Sequence, residues 1–500
     1  MKLLYTLIIT MLYFPIASQN HDYVWLFGYN YTSSLPGIEG SIGDFKQQPF
    51  GFEYINIGIP LFVSNAIVSD STGHLKFYTN ACSIANSNHE IMENGEGINP
   101  GQIHETYCDN GYIAGTQGCL ILPKPGNPDL YYVFHKHIIT TSSEIITDAL
   151  LYSMVDISLN NGMGKVIQKN QPLVETAITY SQLTAVKHAN GKDWWILTGG
   201  DQNNLYYTFL LDSNGLDPYF TQSIGSPSSY NGSRGGQAVF SPDGSKYARY
   251  SATDGVFLFD FDRANGLLSN FRHIPIGDPW VSGGVAISPN SRFLYVSSTL
   301  FVYQYDLWAQ EIIVTKDTVA IYDNFQAPFP TTFYTQQLAP DCKIYINSQN
   351  GSFFLHVIHN PDEPGLSCNL EQHGVPLPYP HQLSMPNFPN YRLGPLIPGE
   401  TPAPPCSPIV STEEPLPAPE PAIKVFPNPA SGQFTIRLTA PAAGEWQLFH
   451  ADGRLALRQF LSAGVAQYEI AVSQLPPGMY FYRVFLEGQP GGSGKVSVVR

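Results

Sequence analysis

The sequence predicts an all-β protein: a β-propeller, most simply of seven blades, followed by a small Ig-like β-sandwich. The first observation is the stretch 237–266, where three short apolar runs are joined by the turns 241–244 and 253–255 and end at an Asn-Gly turn. Asp-Gly and Asn-Gly between alternating apolar residues indicate hairpins, because such turns need positive backbone φ angles. The other two observations are that this unit repeats and that the composition changes abruptly after residue 394.

Copies of the first turn recur at intervals of about 47 to 64 residues, close to the length of a propeller blade. A small sheet cannot bury both of its apolar faces alone, whereas radial stacking of blades buries them. Strands in residues 23–27 and 52–57 also need partners, so the simplest completion is a seventh blade that pairs N-terminal with C-terminal strands. Six or eight blades remain open. The six turns are residues 70–73, 124–127, 188–191, 241–244, 288–291 and 339–342.

The composition agrees with short strands and many turns. Charged residues make up 13% of the chain, against about 25% in typical globular proteins. Gly (44), Pro (41), Tyr (30) and Phe (29) are abundant. The formal net charge of −15 argues against nucleic acid as a partner, since phosphate binding requires clusters of Lys and Arg.

Residues 1–18 are typical of a secretory signal peptide. One Lys precedes an apolar run at residues 3–16, and the small residues Ala17 and Ser18 follow it. We expect cleavage between Ser18 and Gln19. No later stretch approaches 18 apolar residues, so the sequence predicts an exported protein without a membrane-spanning helix.

The six cysteines can form disulfides in an exported chain. Two pairs bracket polar, loop-rich insertions and are predicted to form disulfides. Each bond would close a loop of about 26 residues and stabilise the folded protein by roughly 3 kcal/mol. Cys119 lies in an apolar strand and is expected to be a buried thiol, while Cys406 is left unassigned. No CxxC pair exists, so zinc binding has no support. The predicted pairs are Cys82 with Cys108 and Cys342 with Cys368.

A Pro-rich linker is predicted at residues 395–421, where ten of 27 residues are Pro and Lys and Arg are absent. It separates the propeller, residues 19–394, from a second domain, residues 422–500. Evenly spaced short strands in that domain indicate a β-sandwich. Its charge is opposite to that of the rest of the chain, with seven Lys or Arg against four Asp or Glu.

Four motifs follow one another in order in this second domain. Together with a signal peptide, they make the domain resemble the C-terminal sorting domain of the type IX (Por) secretion system of Bacteroidetes. The resemblance implies contact with the secretion machinery, export across the outer membrane, removal of the domain by a sorting peptidase, and release or lipopolysaccharide anchoring of the remainder. The residues that carry it are Phe426, Pro427, Asn428, Pro429 and Gly432, then Asp452 and Gly453, then Pro477, Gly478 and Tyr480, and finally Lys495.

The first domain is similar to exported WD40/YVTN-like propellers of Bacteroidetes that carry this tail. The similar segments are residues 69–80, 89–95, 183–191 and 383–394. This resemblance implies a fold, and it brings no catalytic residue with it.

Several side chains could carry chemistry, and each also has a simpler structural explanation. His135 and His137 alternate along a strand and could face a metal together, but strand-face positions explain them better. Asp260 and Asp262 suggest a calcium loop, yet the remaining ligands of an EF-hand are missing and local turns account for them. The polar loop 198–204 could bind a ligand on a propeller face, but no nucleotide motif accompanies it. No catalytic, cofactor-binding or metal-binding residue is therefore predicted.

The sequence favours a binding or interaction protein that engages an extracellular glycan or protein, because catalytic signatures are absent. Two alternatives remain open. One is a secreted polysaccharide-active enzyme, which needs two facing carboxylates. The other is a structural envelope protein. The carboxylates that could serve such an enzyme are Asp70, Asp201, Asp254 and Glu371. His356 and His359 lie at a strand end and, like His135 and His137, are better explained by structural positions than by metal binding.

Overall fold

The computed structural model describes residues 19–29, 38–113, 115–142, 144–233, 235–251, 253–279, 282–397, 399, 406, 423–438, 442–450, 454–486 and 489–500. The chain divides into two compact units, Met1–Ile409 and Val410–Arg500. The predicted signal peptide, including Ser18, lies outside the described residues. None of the described helices has the length and apolar character needed to span a bilayer.

The first unit is built from consecutive antiparallel sheets, each of which uses one continuous stretch of chain. Seven such sheets are present in the described residues, and in each of them sequence neighbours pair with one another. The first three are β1 (Val24–Gly28), β2 (Ile38–Asp44) and β3 (Phe52–Ile57); β4 (Ala66–Ser69), β5 (Leu75–Thr79) and β6 (Ile84–Asn86); and β7 (Cys119–Pro123), β8 (Leu130–Thr140), β9 (Ile145–Asp156) and β10 (Lys165–Ile178).

The other four sheets of this unit have four strands each. They are β11 (Thr184–Lys187), β12 (Trp194–Gly199), β13 (Leu205–Leu211) and β14 (Phe220–Ser223); β15 (Gln237–Phe240), β16 (Lys246–Ser251), β17 (Gly255–Asp262) and β18 (Leu267–Ile274); β19 (Gly283–Ile287), β20 (Phe293–Ser298), β21 (Phe301–Asp306) and β22 (Asp317–Ile321); and β23 (Gln336–Leu338), β24 (Ile344–Ile346), β25 (Ser352–Ile358) and β26 (Leu370–His381). Short helices are α1 (Gln102–Tyr107), α2 (Tyr230–Ser233) and the 3₁₀ turns Cys108–Asn110, Asn160–Gly162, Ile312–Thr315 and Gly365–Cys368.

The recurring turns mark the sheets in the way the sequence predicts. Each of the six turns joins the first strand of a sheet to the second, in the second to seventh sheets. In the turn 241–244, the Asp243 carboxylate accepts hydrogen bonds from the backbone and hydroxyl of Ser245, and Gly244 has a φ of 75°. This is the left-handed conformation that favours glycine.

The first strands of successive sheets lie beside one another, which gives a propeller-like arrangement. The seventh sheet meets the first, where the Ser41 hydroxyl on β2 donates to the Tyr379 carbonyl on β26 and accepts from its backbone N–H. The expected pairing of N-terminal with C-terminal strands is wrong in the described residues. The N-terminal strands form a sheet of their own, and the chain after β26 runs into the centre of the unit instead.

Aromatic side chains fill the spaces between neighbouring sheets. Between the fourth and fifth sheets, Tyr206 packs edge-on against Phe259, with ring centroids 5.2 Å apart. Trp195 and Tyr247 belong to the same buried cluster. Burial of such rings supplies much of the hydrophobic stabilisation that holds sheet to sheet.

The second unit contains two antiparallel sheets that share one hydrophobic core. At its centre Trp446 is fully buried and lies near Phe434 and Tyr482, with ring centroids 5.5 and 5.9 Å away. The sheets are β27 (Ile423–Phe426), β28 (Gln433–Leu438) and β31 (Gln467–Ala471), and β30 (Leu455–Leu461), β29 (Gly444–His450), β32 (Gly478–Leu486) and β33 (Gln489–Val498), in order of pairing.

One of the two predicted disulfides is wrong. The structure joins Cys82 to Cys108, a predicted pair, but it joins Cys342 to Cys406 instead of to Cys368. Cys368 ends a 3₁₀ turn and is buried in the apolar core between the sixth and seventh sheets, so its thiol is held away from Cys342. Cys119 is a buried free thiol, and burial raises its pKa.

Candidate ligand-binding groove

The first unit has a groove of about 930 Å³ on the side where the six recurring turns lie. Its walls come from the turns of the second, third and fourth sheets and from the segment that precedes β1. Gln19, the residue expected to begin the mature chain, lies at its edge. Because the three turns are far apart in sequence, the groove exists only once the sheets are packed side by side.

The centre of the unit offers far less space. A cavity of about 70 Å³ remains among the first strands of the fourth to seventh sheets. Residues 383–394, here called the channel segment, close it: Phe388, Pro389, Asn390 and Arg392 form part of its lining. A ligand of more than a few atoms therefore finds room in the groove and not in the centre.

Lys187 is the most unusual side chain of the groove. It is the last residue of β11 and is 3% exposed, yet it forms no ion pair among the described residues. Its Nζ lies 3.8 Å from the centre of the Trp194 ring and donates one hydrogen bond, of 3.2 Å, to the Lys192 carbonyl. Burial lowers the pKa of Lys187 to about 7, because desolvation disfavours the charged ammonium.

His21 and Tyr131 contribute further to the groove. The His21 Nδ1 lies 2.6 Å from the Ser69 carbonyl, and the two rings meet edge-on with centroids 6.5 Å apart. Burial lowers the pKa of His21, so its imidazole is neutral at physiological pH. The base of the groove therefore contains almost fully buried aromatic rings and one buried amine.

Arg263 ties the Lys187 turn to the channel segment. Its guanidinium donates to the carbonyls of Lys187 (2.9 Å), His188 (3.2 Å) and Gly394 (2.6 Å). Gly191 has a φ of 71°, and a Cβ there would lie 2.4 Å from the backbone nitrogen of Pro395. This close approach explains why the His-Ala-Asn-Gly turn ends in glycine.

The channel segment is fixed mainly by Asn387 and Arg392. The Asn387 amide donates to the carbonyls of Cys119 and Leu183 and accepts from the Gln117 side chain. Arg392 forms a two-point ion pair with the buried Asp22, at 2.5 and 2.8 Å. The segment therefore joins the third and fourth sheets to the N-terminal residues beside the groove.

We expect Asn387→Ala to lower the free energy of unfolding of the propeller by about 2 kcal/mol, because it leaves two buried carbonyls and one amide donor without a partner. Urea denaturation of the oxidised protein measures the loss. Asn390→Ala is the matched control, since the Asn390 side chain is only partly buried and its amide donates one bond, to Pro242. A control that destabilises as much as Asn387→Ala would contradict this account of the segment.

The histidines considered as metal ligands are already satisfied by the protein. His135 bonds the side chains of Asn99 and Ser153 through its two nitrogens, and His137 bonds Asp148 and the Pro100 carbonyl. His356 lies between the Thr332 carbonyl and the His373 backbone, while His359 pairs with Glu371. Burial lowers the pKa values of His135 and His356 to about 3. Structural roles account for these residues.

The aspartates of the suggested calcium loop have local partners as well. Asp260 pairs with Lys246 and Arg272, at 2.8 and 2.5 Å, whereas Asp262 accepts from the backbone of Ala264 and the side chain of Asn265. In the loop 198–204 the Asn203 side chain bonds Leu205 and Asp201. These contacts shape turns.

The four carboxylates considered for glycoside cleavage come from four different sheets. They belong to the second, fourth, fifth and seventh sheets or to the connections beside their strands. Burial alone would raise the pKa of Asp70, but hydrogen bonds from Thr72, His74 and Lys76 lower it below its usual range. Asp254 accepts from the Ser229 backbone. These contacts give Asp70 and Asp254 structural roles in their turns.

One group of three potential metal ligands lies within 4.8 Å in the described residues, namely Cys82, His104 and Cys108. Two of the three are the sulfurs of a disulfide, so they cannot act as thiolate ligands in this oxidised form.

The sorting motif has a clear structural basis in the second unit. The Asn428 side chain donates to the Lys495 carbonyl and accepts from the Ser497 backbone, so the Pro-Asn-Pro segment clamps the last strand. The Tyr480 hydroxyl donates to the Pro476 carbonyl and holds the Pro-Pro-Gly turn. Phe426 ends β27, Gly432 follows the clamp and Gly478 begins β32. Asp452 and Gly453 lie outside the described residues.

These features define a propeller-like protein with a separate C-terminal sorting unit. Residues 424–491 match the family model described as "Secretion system C-terminal sorting domain". This part of the chain is a type IX sorting domain, and it indicates export by that system to the cell surface or the surroundings. It also implies interaction with the type IX secretion machinery.

No curated protein matches the chain. Among solved structures, it is similar to a protein from Lactobacillus plantarum (13% identity, 72% of this chain and 98% of that one, TM-score 0.44). It is also similar to a candidate 6-phosphogluconolactonase from Bacteroides uniformis (12%, 90% and 100%, 0.39). A third is the extracellular domain of a candidate one-component system from B. thetaiotaomicron (12%, 92% and 60%, 0.35). None of these similarities assigns an activity to this chain.

Proposed function

We propose that this chain is an exported propeller that binds an extracellular glycan or protein through the groove beside Lys187. The groove carries the proposal, because it is large enough for a small ligand and is lined by charged and polar side chains together with buried aromatic rings. The filled centre supports it further, since it leaves the groove as the better place for a ligand.

The proposed architecture is a signal peptide (1–18), a seven-bladed propeller (19–394), a linker (395–421) and an Ig-like sorting domain (422–500). Each of the seven sheets is then one blade, and the disulfide between Cys342 and Cys406 ties the start of the linker to the seventh blade. Cleavage of the signal peptide before Gln19, and removal of the sorting domain by a sorting peptidase at the cell surface, belong to the same proposal.

Binding of the mature propeller to an array of glycans and peptides tests this function. Ser71→Trp places a bulky ring on an exposed residue of the groove wall and should remove the signal of any specific ligand. Ser269→Trp is the matched control, because Ser269 is an exposed residue of the outer strand β18. Equal loss of binding in both variants, or loss in neither, would contradict a groove site.

The same samples address the two alternatives. Release of products from any array glycan would favour a secreted enzyme over a binding protein. Absence of binding to every array member, together with abundant surface-attached protein, would favour an envelope scaffold.

A further inference from the structure

Lys187 is a buried cation with no anionic partner in the described residues, and it borders a groove. Removing a charged group from water is unfavourable unless an opposite charge compensates it. The ion pairs of the described residues include the neighbouring Lys76 with Asp70, at 3.0 Å, but none that uses Lys187. The Lys192 carbonyl and the Trp194 ring give only partial compensation.

The groove is also a positive spot on an acidic protein. Residues 19–421 contain 17 Lys or Arg against 36 Asp or Glu. The groove lining contains four lysines against three aspartates, and the ion pair between Lys76 and Asp70 removes one charge of each sign. The lining charges are Lys76, Lys124, Lys187, Lys192, Asp70, Asp129 and Asp193.

We propose that the ligand of this groove carries a carboxylate or phosphate group, and that Lys187 is its counter-ion. The inference rests on the proposed function, because it names the chemical class of the ligand for the same groove. A precisely placed charged side chain is a usual means of orienting a ligand in such a site, and hydrogen bonds between an ammonium and a carboxylate or phosphate are among the stronger polar contacts.

Anion binding at this position is coupled to a proton. Because burial lowers the pKa of Lys187 to about 7, the amine is largely protonated at pH 6 and largely neutral at pH 9. An anion binds the protonated form, so its affinity should fall about tenfold for each pH unit above 7. The Asp193 carboxylate acts against burial and raises the pKa of Lys187, and the charge of Lys187 contributes to lowering the pKa of His21.

Other charged groups surround the site. Asp70 and Lys76 come from the second sheet, Lys124 and Asp129 from the third, and Arg263 from the fifth, while Arg392 of the channel segment pairs with Asp22. Cleavage before Gln19 would add an α-amino group whose usual pKa is about 8. Every variant described below keeps this α-amino group, so a pH dependence that disappears in Lys187→Met belongs to Lys187.

Titration calorimetry of the mature protein at pH 6 and pH 9 tests the inference, with D-galacturonate, glucose 6-phosphate and inorganic phosphate as anionic probes. D-galactose and glucose are the neutral counterparts. We expect at least one anionic probe to bind at pH 6 and to lose about 100-fold in affinity at pH 9. The sugar acid and the phosphates distinguish a carboxylate from a phosphate ligand.

Lys187→Met keeps the length of the side chain, removes a buried charge and should therefore fold, which circular dichroism checks. It should lose anion binding at pH 6, whereas Lys316→Met should keep both binding and its pH dependence. Lys316 is an exposed lysine outside the groove whose Nζ also lies over an aromatic ring, 3.7 Å from the centre of Tyr303. Anion binding that persists in Lys187→Met, or that does not change with pH, overturns the inference. Tight binding of a neutral sugar alone also overturns it while leaving the proposed function intact.

Discussion

A chain that ends at residue 421 should retain its signal peptide function but fail to reach the cell surface or the medium. Truncation removes the whole sorting domain, residues 422–500, and leaves the propeller sheets and both disulfides in place. A sorting domain is an address that the export machinery reads, so its loss should trap the propeller in the periplasm. Immunoblots of periplasm, surface and medium fractions measure the distribution.

The matching gain-of-function control places residues 407–500 behind a reporter protein that has its own signal peptide. The reporter should then appear outside the cell, whereas the reporter alone stays in the periplasm. Undiminished export of the truncated propeller would contradict the role assigned to residues 424–491.

The second large effect is expected from Trp446→Ala. Trp446 is fully buried between the two sheets of the sorting domain, against Phe434 and Tyr482. Removing a buried Trp costs about 3–5 kcal/mol, and a domain of this size has a typical stability of only about 4–12 kcal/mol. The substitution should therefore remove a large share of the stability of the sorting domain and raise the population of its unfolded form, so that more of the precursor stays in the periplasm than for the parent chain.

Phe460→Ala is the control for this prediction, because Phe460 is 66% exposed on β30 and contributes little to the core. It should be exported as the parent chain is. Limited proteolysis of the full-length precursors links export to folding: the Trp446 variant should lose its C-terminal domain to protease much faster than the Phe460 variant. Normal export of a protease-sensitive Trp446→Ala precursor would show that a folded sandwich is not needed.

The sheets could be predicted from the sequence because their signals are local. A turn such as 241–244 carries in four residues the Asp and Gly that its backbone requires, and it lies between apolar runs that form the strands. The sorting motif is equally local. Asn428 lies in a short Pro-Asn-Pro segment that can be recognised from the sequence alone. Recognition does not require knowledge of the hydrogen-bond partners of Asn428, namely Lys495 and Ser497, which lie almost 70 residues away.

Long-range pairing could not be predicted in this way. Cys342 has two candidate partners downstream, and the choice of Cys406 over Cys368 depends on which of them packs into the core between two sheets. The closure of the ring was missed for a similar reason, since residues 383–394 look like a further loop in sequence. Their place in the centre becomes apparent from the folded structure, where Asn387 contacts the third and fourth sheets.

The groove could not be predicted from the sequence because it joins turns that lie 54 to 118 residues apart. Lys187 gave one sequence signal that could have drawn attention to it, namely a charged residue at the end of the apolar run Thr184–Lys187. Its register opposite Trp194 places the amine against an aromatic ring, and that pairing becomes clear only when the hairpin is folded.

The central claim is that a propeller is exported by the type IX system through its C-terminal domain, which is then removed. Intact-mass spectrometry of the protein recovered from the medium and the cell surface tests it most directly. The account predicts a chain that begins at Gln19 and lacks residues 422–500, with two disulfides retained. Exported protein that still carries the whole C-terminal domain would contradict it.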